Sequence, residues 1–280
     1  MKDERKELKS KLARLEKHEN FSYEKKIWDG KVTKDINQEY KISLCTTCMG
    51  RLHDLKDTLP ENIKFNKDYQ NLEFVILDYN SPDGLEDWMK ANMMPHIESG
   101  KVVYYKTVIP RHYSMTKSRN LAFKLASGDI VNNVDADNFV NEGFARYVNV
   151  LANQQPERAI FAKGKKMLRG RLGFWKNEFM EILKGYDEGI EHYGHDDHDL
   201  LERAWLAGFT LMWYGGRYYT SNGSKKHQTE NMREKNWQLT ELRNKIISAE
   251  NIVNKRIEGN SGAWGQTIIT KNFKEEFVLT

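Results

Sequence analysis

Between residues 41 and 135, short apolar runs alternate with stretches of helical spacing. The apolar runs predict four strands: Lys41–Thr47, Leu72–Leu77, Lys101–Tyr105 and Ile130–Val134. The stretches between them predict helices over Leu52–Leu59, Leu85–Met94 and Ser114–Leu125, with Pro60 ending the first. A strand that is buried on both faces reads as a nearly continuous apolar run. The alternation therefore predicts an α/β domain with an open, mixed but mainly parallel sheet flanked by helices.

The pattern is less regular after Phe139. Further strands are predicted at Ala159–Ala162, Phe209–Tyr214 and Thr267–Thr270, and further helices at Glu178–Leu183, Leu200–Leu206 and Trp237–Val253. Leucines at helical spacing in residues 1–20 predict an amphipathic helix that docks on the body or on a partner, with a membrane surface as the alternative. Residues 21–40 read as a polar connection anchored by Trp28.

Composition and charge narrow the class of protein. No run approaches the roughly 20 apolar residues that span a bilayer. The charged N-terminus has no apolar segment typical of a secretory signal. With only two Cys in 280 residues, a disulfide framework is excluded and a reducing cytoplasm is the expected location. The net charge of +4 permits an anionic ligand or membrane surface without indicating nucleic acid.

Two carboxylates, Asp135 and Asp137, directly follow the fourth predicted strand. Ligands of open α/β sheets bind outside the carboxyl ends of the strands. Paired carboxylates suit Mn²⁺ or Mg²⁺, which leave room for substrate phosphates. We therefore expect a cation site here, with a solvated turn as the alternative. Asp78, at the end of the second strand, is expected to accept a uracil imide or ribose hydroxyl hydrogen, and Asp83 is assigned to turn formation.

Polar residues on two later helices add candidate chemistry. Lys117, Arg119 and Asn120 could bind a diphosphate, brace the Asp135–Asp137 loop, or form a solvated helix face. The segment from Tyr193 to Leu200 contains three Asp and two His, and one of the acids could act as a general base. The isolated His227 would be a reasonable third ligand for Mn²⁺.

Two competing sites are weaker. His192, His195 and His198 follow one another at three-residue steps, which drift around a helix, so a zinc site is disfavoured. Cys45 and Cys48 form a Cys-x-x-Cys after a strand, which would suit a redox site, but that reading explains none of the downstream acids.

Taken together, these motifs resemble GT-A glycosyltransferases, specifically the inverting family 2 enzymes. The resemblance rests on the segments Ile42–Arg51, Phe74–Asp83, Arg119-Asn120, Gly128-Asp129 and Asp135-Ala136-Asp137. The later part is similar to the galactosyltransferase family 7 type found in chondroitin-type polymerases, through Gly185–Glu188, Tyr193-Gly194, Asp196–Asp199 and Arg203. Thr46-Thr47 replaces the family's usual Pro-Thr or Pro-Phe, and Tyr193–Asp197 replaces Trp-Gly-Gly-Glu-Asp.

The resemblance implies a role for each matched residue. Asp137 and His227 would be the metal ligands, with Asp135 contacting the ribose or metal-bound water. Asp197 would be the catalytic base, and Asp196 would contact the sugar or acceptor. The implied nucleotide-sugar contacts are Thr46, Thr47, Arg51, Asp78, Asn80, Lys117, Arg119, Asp135, Ala136 and Tyr193. The implied division is an N-terminal extension (1–40), a catalytic domain (41–230, with a nucleotide half 41–140 and an acceptor half 141–230) and a C-terminal helix and strand (231–280).

The expected activity is metal-dependent, inverting transfer from a nucleotide-sugar, with a UDP-sugar as the expected donor, to a glycan or glycoconjugate hydroxyl. Two other classes stay open. A DNA-base glycosyltransferase would use the basic residues of the segment Lys163–Arg171 on phosphates, and a non-catalytic module would bind the nucleotide or carbohydrate without transfer. Peripheral membrane contact and oligomer formation are compatible with the sequence.

Overall fold

The computed structural model describes residues 2–164, 171–222 and 229–280. The elements up to residue 140 are α1 (Lys2–Glu16), β1 (Lys26–Ile27), β2 (Ile42–Cys48), α2 (Leu52–Phe65), β3 (Leu72–Tyr79), α3 (Leu85–Asn92), α4 (Met94–Glu98), β4 (Val102–Thr107), α5 (Met115–Leu125), β5 (Ile130–Asn133) and β6 (Asn138–Val140). The later elements are α6 (Phe144–Gln154), β7 (Ala159–Lys163), β8 (Leu172–Trp175), α7 (Lys176–Glu181), α8 (Asp196–Leu206), β9 (Thr210–Tyr214), β10 (Tyr219–Ser221), α9 (Trp237–Val253), β11 (Thr267–Lys271) and β12 (Glu275–Leu279).

Ten of the described strands form one sheet, in the order β1-β9-β7-β8-β5-β2-β3-β4-β11-β12. The neighbours β5, β2, β3 and β4 are parallel, and so are β7, β9 and β1. Strand β8 is antiparallel to both β5 and β7, so the carboxyl ends of β7 and β5 lie at the same sheet edge. The predicted mixed, mainly parallel sheet flanked by helices is confirmed.

The sheet is buried on both faces. Leu44 and Ile76 belong to one core layer, whereas Cys45 and Val75, one position along the strands, belong to the other. Successive strand residues point to opposite faces, and burial of both faces explains why these strands read as continuous apolar runs.

The two cysteines fall within this pattern and contradict the redox alternative. Cys45 and Cys48 are both buried on β2, in different core layers. Burial raises the pKa of the Cys45 thiol well above its ordinary value and that of Cys48 to about 12. Redox chemistry uses the thiolate, which is suppressed here.

The prediction that Pro60 ends its helix is wrong, because α2 continues to Phe65. A proline inside a helix costs about 3 kcal/mol, but the turns beyond it have tertiary partners. The Asn62 amide donates to the Asn138 carbonyl (3.0 Å), and the Asn66 amide donates to the Val140 carbonyl (3.0 Å). These contacts fix β6 against α2, so they stabilise both elements.

Several elements were missed by the sequence prediction. Helix α6 has Phe144, Val148, Leu151 and Ala152 on its buried side, a spacing that could have revealed it. The strands β1, β6 and β10 have only two or three residues, too few for a clear pattern, and β8 and β12 were also missed. Elements from all three predicted parts, including β1 and β12, join the same sheet, and the three-part division stays a prediction.

The N-terminal helix docks on the body, as expected. Helix α1 packs against α9, with Lys11 Nζ 2.7 Å from Glu250 Oε1. Trp28 anchors the following connection, since its N–H donates to the Leu211 carbonyl (2.9 Å) and its ring packs on the core. None of the helices in the described ranges is long and apolar enough to cross a membrane.

Candidate active site

The two carboxylates that follow β5 have different surroundings. Asp135 Oδ1 accepts hydrogen bonds from Asn133 Nδ2 (2.9 Å) and Arg119 Nη2 (3.2 Å). Asp137 Oδ1 accepts one from Asn138 Nδ2 (2.7 Å), while its Oδ2 has the Ser221 hydroxyl at 3.3 Å and Arg51 Nη2 at 3.7 Å. Burial, and then the negative charge of Asp135, raise the pKa of Asp137. The Asp137 carboxylate is therefore short of positive charge.

These surroundings fit a divalent cation. Asp135 and Asp137 offer hard oxygen ligands of the kind that Mn²⁺ and Mg²⁺ accept alongside substrate phosphates. In residues 2–164, 171–222 and 229–280, no group of three His, Cys, Asp or Glu side chains is arranged to hold a metal. The predicted third ligand, His227, lies outside the described residues.

Arg119 connects this strand end to the acidic helix. Its side chain is only 2% exposed, and Nη1 donates to both Asp196 and Asp197, the latter at 3.0 Å. Burial alone would lower the pKa of Arg119, but Asp197, Asp196 and Asp135 together raise it well above its ordinary value. Of the alternatives for Arg119, the structure shows the brace, and a solvated helix face is wrong.

Asn120 and Lys117, which lie near Arg119 on α5, differ in burial. Asn120 is fully buried, accepts the Tyr186 N–H (2.8 Å) and donates to the Tyr186 carbonyl (3.0 Å). This close approach needs a glycine next to it, because a Cβ at Gly185, whose φ is +79°, would stand 2.7 Å from Asn120 Oδ1. Lys117 is exposed, so for that residue alone the solvated face holds.

The acidic helix start divides into two groups. Asp196 and Asp197 are both less than a tenth exposed and face Arg119, with the Tyr186 hydroxyl 3.5 Å from Asp197 Oδ1. Asp199 is fully buried and accepts from Arg203 Nε (2.7 Å) and Asn251 Nδ2 (2.8 Å). Two of the three acids are therefore directed to the candidate site, and the third stabilises the fold.

The zinc alternative for the three histidines is contradicted. The rings of His195 and His198 stack with their centroids 5.1 Å apart, and none of the three joins a metal-holding group among the described side chains. Burial, and then the nearby His198, lower the pKa of His195 to about 3.

Asp78 is placed within the fold rather than at an open surface. It is fully buried, and its two oxygens accept from the Tyr104 hydroxyl (2.6 Å) and the Ser81 N–H (2.7 Å). These contacts show that Asp78 stabilises the turn after β3. Asp83 accepts from the Leu52 N–H (2.8 Å), in keeping with its assignment to turn structure.

The other predicted nucleotide-sugar contacts are spread along this edge. Thr46 and Thr47 are mostly buried, and Thr47 Oγ1 lies 2.6 Å from the Tyr113 hydroxyl. Asn80 has a φ of +57° and donates to the Pro110 carbonyl (2.8 Å). The Ala136 carbonyl accepts from the Thr58 hydroxyl (2.7 Å), and the Tyr193 carbonyl accepts from the Thr240 hydroxyl (3.0 Å).

Arg51 is a predicted contact with an incomplete set of hydrogen-bond partners. Its Nε donates to Asp54 Oδ2 (2.5 Å), but Nη2 is buried without a hydrogen bond. The sequence prediction missed Asp54, which is 2% exposed and also accepts from Asn222 Nδ2 (3.0 Å). Its spacing three residues after Arg51 on a helix was a usable signal, whereas nothing in the local sequence points to Asn222.

Comparison with known proteins identifies the family of the chain. A family model for Glycosyl transferase family 2 matches residues 43–189, more than half of the 280 residues. The chain therefore belongs to glycosyl transferase family 2. The expectation of a glycosyltransferase enzyme is confirmed at the level of the family. The match ends before Tyr193, so the family 7 similarity of the later part stays a prediction. No curated protein matches the chain significantly.

Solved structures of glycosyltransferases share the fold. The mannosyltransferase PcManGT from Pyrobaculum calidifontis, in complex with GDP-Man and Mn²⁺, is 20% identical with a TM-score of 0.58, over 78% of this chain and 64% of that one. TarS 1–349 from S. aureus, in complex with UDP, is 14% identical with a TM-score of 0.52, over 64% and 59%. GalNAc-T7, with UDP, GalNAc and Mn²⁺, is 15% identical with a TM-score of 0.53, over 63% and 43%. The chain thus spans less than two thirds of each of these structures, and the likeness establishes the GT-A fold.

Proposed function

We propose that this chain transfers a sugar from a nucleotide-sugar to a hydroxyl of a glycan or glycoconjugate, with metal dependence and inversion at the anomeric carbon. The observation that supports this proposal best is the set of contacts made by the Arg119 guanidinium. It contacts Asp135, beside the cation ligand Asp137, and also the acid pair Asp196 and Asp197. One rigid residue thereby sets the distance between a leaving-group site and a candidate base.

Donor binding falls to the edge formed by β2, β3 and β5. Asp137 and Asp135, with His227 as the predicted further ligand, would hold Mn²⁺ or Mg²⁺, which supplies Lewis-acid neutralisation of the diphosphate leaving group. Arg51 has a buried nitrogen without a hydrogen bond beside Asp137. It is suited to a phosphate oxygen, because guanidinium groups bind phosphates through charge-assisted hydrogen bonds. The ligands of the structural neighbours, GDP-Man or UDP with Mn²⁺, support this choice of donor and cation.

Transfer falls to the acid pair at the start of α8. Asp197 would take the proton from the acceptor hydroxyl, and Asp196 would contact the sugar or the acceptor. A general base must reach the proton it removes, and Arg119 fixes the carboxylates for this purpose. Attack from the face opposite the diphosphate inverts the anomeric carbon in one displacement. The later part of the site, from Tyr193 to Arg203, would then serve the acceptor in the manner of family 7 enzymes.

A screen of UDP-, GDP- and CMP-sugars with and without Mn²⁺ tests the proposal. Ligands that bind the native state raise the melting temperature by mass action, so one nucleotide class should do so in the presence of Mn²⁺. Cleavage of that donor should follow, and proton NMR of the transfer product should show the inverted anomer. A non-catalytic module would be stabilised without cleaving any donor. Retention of configuration would contradict the role of Asp197, and full turnover in EDTA would contradict the metal.

The roles of the two acids can be separated. Asp197→Asn should keep the donor-induced shift in melting temperature and lose transfer by about 10²–10⁴-fold, the usual contribution of a general base. Unchanged transfer would remove Asp197 as the base. A cytoplasmic location, membrane contact and oligomer formation stay predictions.

A further inference from the structure

Two cations, Lys163 and Arg171, face each other at the same sheet edge as Asp137. Lys163 ends β7 and Arg171 directly precedes β8, and the antiparallel register pairs Ala162 with Leu172. The next residues outward are therefore opposite one another. Like charges directly opposite each other destabilise a strand pair. Burial, and then the charge of Arg171, lower the pKa of Lys163, so the fold accepts an electrostatic cost here.

Neither residue forms an ion pair with a carboxylate in the described part of the chain. The Arg171 guanidinium lies over the Tyr219 ring at 5.1 Å, and its Nε donates to Asn138 Oδ1 (3.2 Å). Its two terminal nitrogens have no hydrogen-bond partner among the described residues. Asn138 in turn donates to Asp137 Oδ1 (2.7 Å). Only Asn138 therefore separates Arg171 from the candidate cation ligand Asp137, and the terminal nitrogens of Arg171 can donate to a further ligand.

The sheet order indicates which substrate could supply an anion. Strands β8 and β7 lie on one side of β5, whereas β2 and β3, with Arg51 and the predicted nucleoside contacts, lie on the other. Neighbouring strands are about 4.8 Å apart, so the end of β7 stands about 10 Å from β5. A diphosphate held by Arg51 and Asp137 would lie toward β2, on the side of β5 opposite β7.

We propose that Lys163 and Arg171 form an anion subsite for a phosphate or carboxylate of the acceptor, so that the acceptor is an anionic glycan or polyol-phosphate chain. The assignment of the bound anion to the acceptor rests on the proposed function, whereas the subsite itself rests on the paired cations. Arg presents a planar fork of donors and Lys a compact charge, and both bind phosphate and carboxylate oxygens.

Direct binding by the full chain tests the subsite without any transfer reaction. The probes are fluorescent oligomers of glycerol phosphate, of glucuronate-containing sugar and of neutral glucose, followed by fluorescence anisotropy first without UDP and then with saturating UDP and Mn²⁺. We expect one anionic probe to bind, the neutral one to fail, and the stronger anionic probe to show whether phosphate or carboxylate is preferred. Binding should weaken as salt increases, because surface charges are screened.

The variants isolate one charge at a time. Lys163→Gln should weaken the anionic probe about tenfold or more, since it removes a charge-assisted hydrogen bond, whereas Lys163→Arg should stay within about threefold of the wild type. The control Arg146→Gln removes an equally positive side chain from the exposed surface of α6, where it is 61% exposed, and should leave binding unchanged.

Three results would overturn the subsite: equal losses in Lys163→Gln and Arg146→Gln, displacement of the probe by UDP, or tighter binding of duplex DNA than of either anionic probe. Displacement by UDP would assign the cations to the donor. Failure of the proposed function is distinct from these. If no nucleotide-sugar is cleaved but the anionic probe depends on Lys163, the subsite stands and the transferase assignment falls.

Discussion

Two carboxylates at opposite ends of the same sheet show how differently one chemical group can be used. Glu73, at the start of β3, accepts from the Ser43 hydroxyl (2.6 Å), the Ser127 N–H (2.7 Å) and the Ser127 hydroxyl (2.7 Å), with Lys41 Nζ at 3.3 Å. Asp137, past the end of β5, has one close amide donor, a hydroxyl at 3.3 Å and a guanidinium nitrogen at 3.7 Å.

The pKa values move in opposite directions for this reason. Burial alone would raise the pKa of Glu73, but the hydrogen bonds from Ser43 and Ser127 outweigh it and lower the pKa. At Asp137, burial and the charge of Asp135 raise the pKa. A buried carboxylate with a full set of donors stabilises the fold. One with a deficit of positive charge is a candidate for an external ligand.

Loss of the Asp137 charge should change catalysis more than any other substitution described below. Asp137→Asn should lower nucleotide-sugar cleavage by about 10³-fold, because a bound cation contributes several kcal/mol of transition-state stabilisation and each 1.36 kcal/mol is tenfold. The melting temperature at pH 7 should not fall, since the variant removes an unfavourably placed charge. Asp87→Asn, an exposed substitution on α3, is the control. Undiminished cleavage by Asp137→Asn would contradict the site.

The next effect concerns the brace between the two parts of the site. Arg119→Met leaves three carboxylates without their shared cation. Removing one partner of a buried ion pair costs about 3–5 kcal/mol, to be measured as the free energy of unfolding in urea. Lys117→Met, an exposed cation on the same helix, should change stability by less than about 0.5 kcal/mol. Equal losses in the two variants would mean that Arg119 does not brace the site.

A smaller effect is expected at the opposite sheet edge. Glu73→Gln leaves buried donors with a weaker acceptor, and one unsatisfied buried group costs about 1–3 kcal/mol. Cleavage per folded molecule should be retained, in contrast to Asp137→Asn. Glu61→Gln on α2, where the side chain is 40% exposed, is the control, and full stability of Glu73→Gln would remove the structural role.

The smallest and most specific effect is the pH dependence of the stability lost in Glu73→Gln. Because folding lowers the pKa of Glu73, its ionised form contributes stability above the unfolded value of about 4.3. That contribution is lost as the pH falls through the folded pKa. The gap in unfolding free energy between wild type and Glu73→Gln should therefore be full above about pH 5 and should narrow as the pH falls through the folded pKa. A gap that widens in acid would give the wrong sign.

The sequence predicts the strand–helix alternation well because these strands are buried on both faces and read as apolar runs. It fails at Pro60, where tertiary contacts from Asn62 and Asn66 outweigh local propensity. Asp135 and Asp137 were readable as a strand-end pair. The brace was not, because Arg119 and Asp196 are 77 residues apart. The packing of α5 against α8 also decides which acids of residues 196–199 face the site, and the local sequence does not reveal it.

Binding of Mn²⁺ in the presence of UDP or GDP, followed by electron paramagnetic resonance, is the most direct test of a cation site at Asp137. The wild type should remove free Mn²⁺ from solution when the correct nucleotide is present, Glu73→Gln should do the same, and Asp137→Asn should not. Equal uptake of Mn²⁺ by the wild type and Asp137→Asn would contradict a cation site at Asp137, and so would no uptake by the wild type with either nucleotide.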